Sequence, residues 1–150
     1  EFTEKSVSEI MVPREQVQTL TLGCTPAELE HAVARTGYSR FIVTDPEGSY
    51  MGYLHLKDAL AVPPAREHIP FGWRLVRSMS VVAPETDIDD ALAIMQGNNS
   101  HLAHVVGSDG RSLGVVFMED VLEELVGEIK DTTQDRVRRL QAASRASNDK

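Results

Sequence analysis

The chain has 150 residues, of which 41% are hydrophobic and 25% are charged, the balance of an ordinary globular protein. Its formal net charge of -8 argues against non-specific binding to nucleic acid or to an anionic membrane surface, because like charges repel. No run approaches the roughly 20 apolar residues needed to cross a bilayer. The single cysteine, Cys24, excludes an internal disulfide, and we expect it to be a buried small hydrophobe.

Signals for two helices and a strand open the chain. Ser6-Val7-Ser8-Glu9 has the pattern of a capping box, which predicts a short helix ending before Pro13. A β-prone segment follows at residues 17–20. Thr25-Pro26-Ala27-Glu28 is a second capping box with proline at the first helical position, so the next helix should extend to about Thr36.

A hairpin and a linker complete the first half. Residues 41–44 and 51–56 are short β-prone runs, and Asp45-Pro46-Glu47-Gly48 between them has the composition of a turn. A helix should follow the hairpin. Prolines at 63, 64 and 70 then mark residues 62–73 as a linker.

The second half has the same order of elements, and we expect Trp73, beside Phe71, to pack where the linker enters it. Its predicted elements are a strand at residues 80–83, a helix opened by Thr86-Asp87-Ile88-Asp89 and ending near Gln96, and strands at 102–106 and 113–118. An apolar stripe at helical spacing follows, formed by Val121, Leu122, Leu125, Val126 and Ile129. Beyond it the chain is polar, and we expect its last residues to be frayed or disordered.

Two stretches in the first half of the chain have counterparts in the second half. Ser39-Arg40-Phe41-Ile42-Val43 corresponds to Ser100-His101-Leu102-Ala103-His104, and residues 52–60 correspond to residues 114–122. A repeat this long predicts two copies of one unit that bury their apolar faces together. We therefore predict an α+β fold of two β-α-β-β-α repeats related by a pseudo-two-fold axis. Residues 1–61 hold the N-terminal segment and the first repeat, 62–73 the linker, 74–130 the second repeat, and 131–150 a polar, flexible tail.

Each hairpin ends in Gly-x-x-x-x-x-Asp at the start of a helix, so the repeats resemble CBS domains, and the tandem pair resembles a Bateman module. Five motifs resemble the HlyC/CorC family more closely. They are Ile10-Met11-Val12-Pro13-Arg14, Gly37-Tyr38-Ser39-Arg40-Phe41, the run at 52–58, Ser100-His101-Leu102-Ala103, and the run at 119–129. Members of that family carry a membrane domain followed by this cytosolic pair, and the family is associated with magnesium and cobalt resistance or efflux.

The resemblance implies an adenine nucleotide, often ATP with Mg²⁺ carried on its phosphates, in clefts between the repeats. No structural metal bound by the protein is implied. The chain would be a regulatory module on the cytoplasmic face of the membrane, attached to an upstream ion-transport domain, and not an enzyme. Its start at Glu1 rather than at a methionine fits a piece of a longer protein. We expect a homodimer, and the alternative function is a structural dimerisation module without a ligand.

The resemblance assigns ribose recognition to Asp58 and Asp120, whose carboxylates would accept hydrogen bonds from the sugar hydroxyls. Either aspartate could instead cap its helix. The family commonly places a hydroxyl side chain three residues earlier, where this chain has His55 and Phe117. Histidine is usual in this subfamily. Phe117 is a departure that removes a polar contact and adds bulk, which disfavours a nucleotide beside Asp120.

Arg14 and Arg40 are candidates to bind phosphate, because a planar guanidinium matches phosphate oxygens, although either could be a solvated surface arginine. Ser39 and Ser100 could donate to phosphate or ribose, or could bond the backbone of their own loops. The remaining candidates are Val12 and Pro13, as a wall for adenine or as core and turn, and His101, the counterpart of Arg40.

Metal and catalytic sites are weaker alternatives. His101 and His104 are separated by an odd number of positions, so on a strand they point to opposite faces and would not share one metal. Asp120, Glu124 and Glu128 fall on one helix face and could hold Mg²⁺, but a solvated acidic face is the favoured interpretation. No phosphate loop, nucleophile elbow or zinc-protease motif is present.

Overall fold

The structure, a computed structural model, describes residues 5–148. Its helices are α1 (Val7–Ile10), α2 (Pro26–Thr36), α3 (Leu56–Leu60), α4 (Ile88–Gly97) and α5 (Met118–Asn148). Its strands are β1 (Val12–Pro13), β2 (Thr19–Thr21), β3 (Arg40–Thr44), β4 (Tyr50–His55), β5 (Ser80–Val82), β6 (Leu102–Val106) and β7 (Ser112–Phe117). Short 3-10 turns cover Arg14–Gln16, Pro64–Arg66 and Trp73–Leu75.

The strands form two sheets, one for each repeat. In the first sheet β2 lies parallel to β3, and β3 pairs antiparallel with β4. The second sheet has the order β1-β7-β6-β5 and repeats this pattern with β5, β6 and β7. Its extra strand, β1, comes from the N-terminal segment and pairs antiparallel with β7. The segment before the first repeat therefore packs on the second one, and Val7 of α1 is fully buried in the core of that repeat.

Each hairpin contains a glycine at the point where another segment of the backbone crosses closely over it. A Cβ on Gly114 would collide with the carbonyl oxygen of Val12, and a Cβ on Gly52 would collide with that of Arg77. These are the first residues of the two Gly-x-x-x-x-x-Asp motifs. The glycines are therefore required by the close approach of the segments that wrap each hairpin.

A shared core joins the repeats. Ile42 and Tyr53 of the first sheet pack with Leu102 and Val115 of the second, and all four are buried. Each repeat also has a cluster of its own between its sheet and its helices. Cys24 lies in the cluster of the first repeat, and burial raises the pKa of its thiol to about 11, as fits a packing residue. The predicted α+β fold of two repeats is confirmed.

Three local expectations were wrong. Helix α4 begins one residue later than its pattern suggested, with Asp87 rather than Thr86 at the N-cap. Phe71 is 7% exposed but Trp73 is 67% exposed, so the tryptophan is not a packing residue of the linker. The last dozen residues were expected to be frayed or disordered, but residues 139–148 of them continue helix α5, and residues 149–150 lie outside the described part of the chain. The flexibility of this tail stays a prediction. Between residues 5 and 148, no helix has both the length and the apolarity that a membrane span requires.

Candidate functional site

A cleft between the two repeats, called here the Asp120 cleft, encloses about 450 Å³. The loop before β3 and the first turn of α5 form opposite sides of it. Its lining residues are Val12, Gly37, Tyr38, Ser39, Arg40, Phe117, Glu119 and Asp120. A volume of this size falls in the range of small-molecule sites.

The Asp120 cleft continues inward as a narrower space of about 30 Å³, which has room for about one water molecule. Val12, Tyr38, Arg40 and Phe117 border both parts, and the inner part reaches Ile42 and Leu102 of the shared core. Phe117 is half-buried against that core. Its ring therefore narrows the inner part of the cleft and leaves the outer part open. The cleft has apolar side chains at its inner end and polar side chains at its rim, a combination found in small-molecule sites.

Arg40 is the cation of the Asp120 cleft. It opens β3, and its side chain is only 18% exposed. Its Nη1 atom donates to both carboxylate oxygens of Glu119, at 3.2 and 3.0 Å. Its Nε atom is buried and has no hydrogen-bond partner among residues 5–148. Its Nη2 atom also makes no hydrogen bond to residues 5–148, so the guanidinium has a free donor besides the buried Nε, which suits it to an anionic ligand.

Asp120 supplies a free acceptor on the opposite side. It lies in the first turn of α5, and within residues 5–148 its carboxylate accepts no hydrogen bond. Burial raises the pKa of this carboxyl group, and the nearby charges of Glu119 and Glu123 raise it further. A carboxylate held in this way gains from hydroxyl donors, which stabilise its charged form.

The pseudo-two-fold axis relates Asp120 to Asp58, but the surroundings of Asp58 are different. Arg77 donates to its two carboxylate oxygens from Nη2 at 2.6 Å and from Nε at 3.1 Å, and the backbone N–H of His55 donates at 2.8 Å. Burial would raise the pKa of Asp58, but the bonds from Arg77 and from the His55 backbone outweigh burial and lower it. Asp58 is therefore already bonded within the protein.

Arg77 was missed by the sequence analysis, and the pairing of the strands explains its place. Val12 lies opposite Val115, the residue after Gly114, and Arg77 lies opposite Tyr53, the residue after Gly52. Arg77 is thus the counterpart of Val12 in the other half. A comparison of the repeats extended back to the segments before their first strands would have placed this arginine near Asp58.

Ser39 and Ser100 also differ in their surroundings. Ser39 lines the Asp120 cleft, and its backbone oxygen accepts a bond from Leu56. Ser100 is 3% exposed, and its hydroxyl bonds Ser80 at 2.5 Å, while Asn98 donates to Ser80 at 3.0 Å. The hydroxyl of Ser100 is therefore used in the core of the second repeat. It does not face a ligand.

Four other candidates lie outside the Asp120 cleft. Pro13 is paired with Gly114 in the sheet, and the guanidinium of Arg14 lies 6.0 Å from the ring centre of Tyr50. His55 accepts a bond at Nδ1 from the backbone N–H of Lys57, so it caps α3. His101 is exposed, and its backbone N–H donates to the hydroxyl of Tyr53 at 3.3 Å.

Comparison with known proteins places these features in a family. The family model described as "CBS domain" matches residues 7–64 and 75–127. An uncharacterized protein of Mycobacterium tuberculosis is 41% identical over 118 residues, which are 79% of this chain and 34% of that protein. Hemolysin C of Rickettsia prowazekii is 32% identical over 85% of this chain and 43% of its own length. The magnesium and cobalt efflux protein CorC of Buchnera aphidicola is 31% identical over 95% of this chain and 51% of its own length.

Solved structures agree with the sequence comparisons. The CBS domain of the bacterial CNNM/CorC family Mg²⁺ transporter in complex with ATP matches with a TM-score of 0.73 at 27% identity, covering 82% of this chain and 88% of that one. The CBS domain of a putative transporter from Clostridium difficile matches with a TM-score of 0.72 at 29% identity, covering 83% and 96%. The chain spans between a third and about half of the curated relatives named above. It belongs to the CBS-domain family as a tandem pair, with hemolysin C and CorC proteins among its relatives.

Proposed function

We propose that this chain is a regulatory module that binds one adenine nucleotide, in the Asp120 cleft. The observation that carries the proposal is the difference between the two pseudo-equivalent positions. The Asp120 carboxylate faces an open cleft, whereas the Asp58 carboxylate is held by Arg77. This choice reverses the expectation from Phe117, which had disfavoured the cleft beside Asp120.

The lining of the cleft fits the parts of a nucleotide. Val12 and Phe117 offer apolar surface to adenine, and Asp120 can accept from the ribose hydroxyls. Ser39 and the guanidinium of Arg40 can donate to phosphate oxygens. Glu119 adds negative charge at the same rim, so Mg²⁺ carried on the phosphates of ATP would reduce the repulsion. The complex of a related CBS domain with ATP supports this choice of ligand.

The position of the cleft supports control of an attached transport domain. Residues 38–40 of the first repeat and residues 117–120 of the second both line it, so a ligand there contacts both halves. A nucleotide that binds better to one arrangement of the repeats shifts the population toward that arrangement. The kinship with a cobalt and magnesium efflux protein supports an ion-transport domain as the recipient of the signal.

Calorimetry with ATP and Mg²⁺ tests the proposal, and the expected stoichiometry is one nucleotide per chain. At a ligand concentration one hundred times the dissociation constant, the free energy of unfolding should rise by about 2.7 kcal/mol. For a chain of this length that is a rise of about 5 °C or more in melting temperature. Asp120→Asn should abolish this rise. An unchanged melting curve at millimolar ATP would instead support the alternative, a structural module without a ligand.

Homodimerisation is a second function that one surface favours. Leu122, Val126 and Ile129 on α5 are 42%, 48% and 59% exposed, while Val121 on the adjacent face of the helix is buried. An apolar stripe of this kind suits a self-complementary, two-fold interface. Light scattering at tens of micromolar protein should give twice the mass of the chain, and the mass of a single chain would contradict the dimer.

A further inference from the structure

The ion pair between Arg40 and Glu119 crosses the mouth of the Asp120 cleft. Arg40 belongs to the hairpin of the first repeat, and Glu119 belongs to the helix that follows the hairpin of the second. The closest approach between the two charged groups is 3.0 Å. The pair therefore links the repeats at the place where the phosphates of a nucleotide would bind.

The two partners of this pair are held very differently. The side chain of Arg40 is 18% exposed, whereas that of Glu119 is 59% exposed. Arg40 is fixed by its surroundings, while Glu119 can turn into solvent and recover its hydration at little cost. The arginine is thus the permanent member of the pair, and the glutamate is the replaceable one.

The donors that Glu119 uses are the ones a phosphate needs. Both carboxylate oxygens of Glu119 are bonded through the single Nη1 atom of Arg40, and the Nε atom of the same guanidinium stays unbonded. Phosphate prefers a two-point contact with arginine, which would use donors that Glu119 leaves free as well as the one it holds. A carboxylate and a phosphate on one guanidinium would also repel each other.

We propose that Glu119 competes with the ligand's phosphate for Arg40, and so sets the affinity of the Asp120 cleft for nucleotides. This inference rests on the proposed function. In the empty cleft Glu119 neutralises the buried cation and ties the two repeats together. Phosphate displaces it, which breaks the link between the repeats at the moment of binding. Glu119 therefore weakens binding and couples occupancy to the relative position of the repeats.

The test is calorimetric titration of Glu119→Gln with ATP and Mg²⁺, and in parallel with adenosine. Removing the competing charge should tighten ATP binding by about two- to fivefold, the range expected of a solvent-exposed ion pair. The affinity for adenosine, which has no phosphate, should not change. Glu123→Gln is the matched control, because it makes the same change of charge on the same helix outside the lining of the cleft. It should alter ATP affinity less than Glu119→Gln does.

A double-mutant cycle separates competition from a general effect of charge. In an Arg40→Leu background, Glu119→Gln should give a smaller gain in ATP affinity, since the direct repulsion of phosphate is relieved but there is no cation left to release. Equal gains in both backgrounds, or an equal gain with Glu123→Gln, would overturn the competition. If the unmodified chain binds ATP and Glu119→Gln leaves its affinity unchanged or weaker, Glu119 is a structural link only. If neither the unmodified chain nor any variant binds ATP, the proposed function is wrong, and the inference that rests on it is wrong too.

Discussion

At the scale of single residues, one difference between the repeats separates a free carboxylate from a bonded one. Val12 stands where its counterpart is Arg77, and the arginine reaches Asp58 with two hydrogen bonds. The sequence shows both aspartates in the same motif, and it favoured Asp58, because Phe117 was expected to disfavour a nucleotide beside Asp120. It could not reveal that Asp58 is already bonded, because Arg77 meets Asp58 only through the crossing of a segment over Gly52.

Asp58→Asn and Asp120→Asn should have opposite effects. Asp58→Asn removes the partner of Arg77 and should lower the free energy of unfolding by about 1 kcal/mol, discounted for the partial exposure of the arginine. The rise in melting temperature with ATP should persist. Asp120→Asn removes a carboxylate charge that burial and the charges of Glu119 and Glu123 disfavour, as its raised pKa shows, so this variant should not destabilise the protein. Its nucleotide binding should be lost. Chemical denaturation with and without ATP measures both quantities. Loss of binding on Asp58→Asn alone would contradict the assignment of the cleft.

His104 should make the protein less stable in mild acid. Its ring lies 4.8 Å from that of Tyr50 of the first repeat, and its Nε2 is 2.6 Å from the hydroxyl of Ser112. Burial lowers the pKa of His104, and the charge of Arg14 lowers it further. The unfolded chain therefore takes up a proton at a higher pH than the folded one. The free energy of unfolding should fall as the pH drops below about 6.5, and should level off above it.

The variant His104→Gln should flatten this dependence between about pH 5 and pH 7. Burial also lowers the pKa of His55, as do the charges of Arg40 and Lys57, so part of the slope should remain. Urea denaturation at a series of pH values measures it, with the exposed His31→Gln as control. An unchanged slope in His104→Gln would show that the contact with Tyr50 does not depend on the charge of the imidazole.

At the scale of elements, local chemistry predicted most bounds to within about one residue and missed the end of α5. Helix α2 has the predicted bounds because Thr25 accepts a bond from Glu28 and Gly37 closes the helix with a positive φ of 78°. Helix α4 has no such cap bond, and its start was misplaced by one residue. The length of α5 was missed because its second half is mostly polar and its described side chains, Val137 and Leu140 included, are exposed, so no buried apolar stripe marks it.

Removal of residues 131–150 should therefore leave the folded domain intact. The described side chains of this segment are exposed, and its resolved ion pair joins Asp135 to Arg138 within the same helix. The free energy of unfolding should change by less than about 0.5 kcal/mol, as for other exposed sites. The helical signal in circular dichroism should decrease. A large loss of stability would show that the tail packs against another copy of the chain.

At the scale of the whole molecule, the repeat in the sequence predicted the pseudo-symmetry but not the packing of the N-terminal segment on the second repeat. The N-terminal segment was grouped with the first repeat by its position, yet α1 and β1 pack on the second. The backbone N–H of Val7 donates to the carbonyl oxygen of Thr86, and that of Ile88 to Lys5. No hydrophobic period can indicate such a crossing, because the bonds that fix it are between backbone atoms.

This crossing makes each half depend on the other for its fold. A fragment of residues 1–61 would expose Ile42 and Tyr53, which the intact protein buries against Leu102 and Val115. It would also leave Val7 without the core that encloses it. A unit of about 60 residues buries too little surface to be stable alone. We therefore expect neither this fragment nor residues 74–150 to fold alone, so neither should show a cooperative unfolding transition. A longer first fragment, residues 1–73, keeps Phe71 in the core of the first repeat, and mixed with residues 74–150 it should regain a cooperative transition through the shared core and the β1–β7 pairing. Circular dichroism melts of each fragment and of the mixture measure this, and a cooperative melt of the first fragment as a monomer would contradict the dependence.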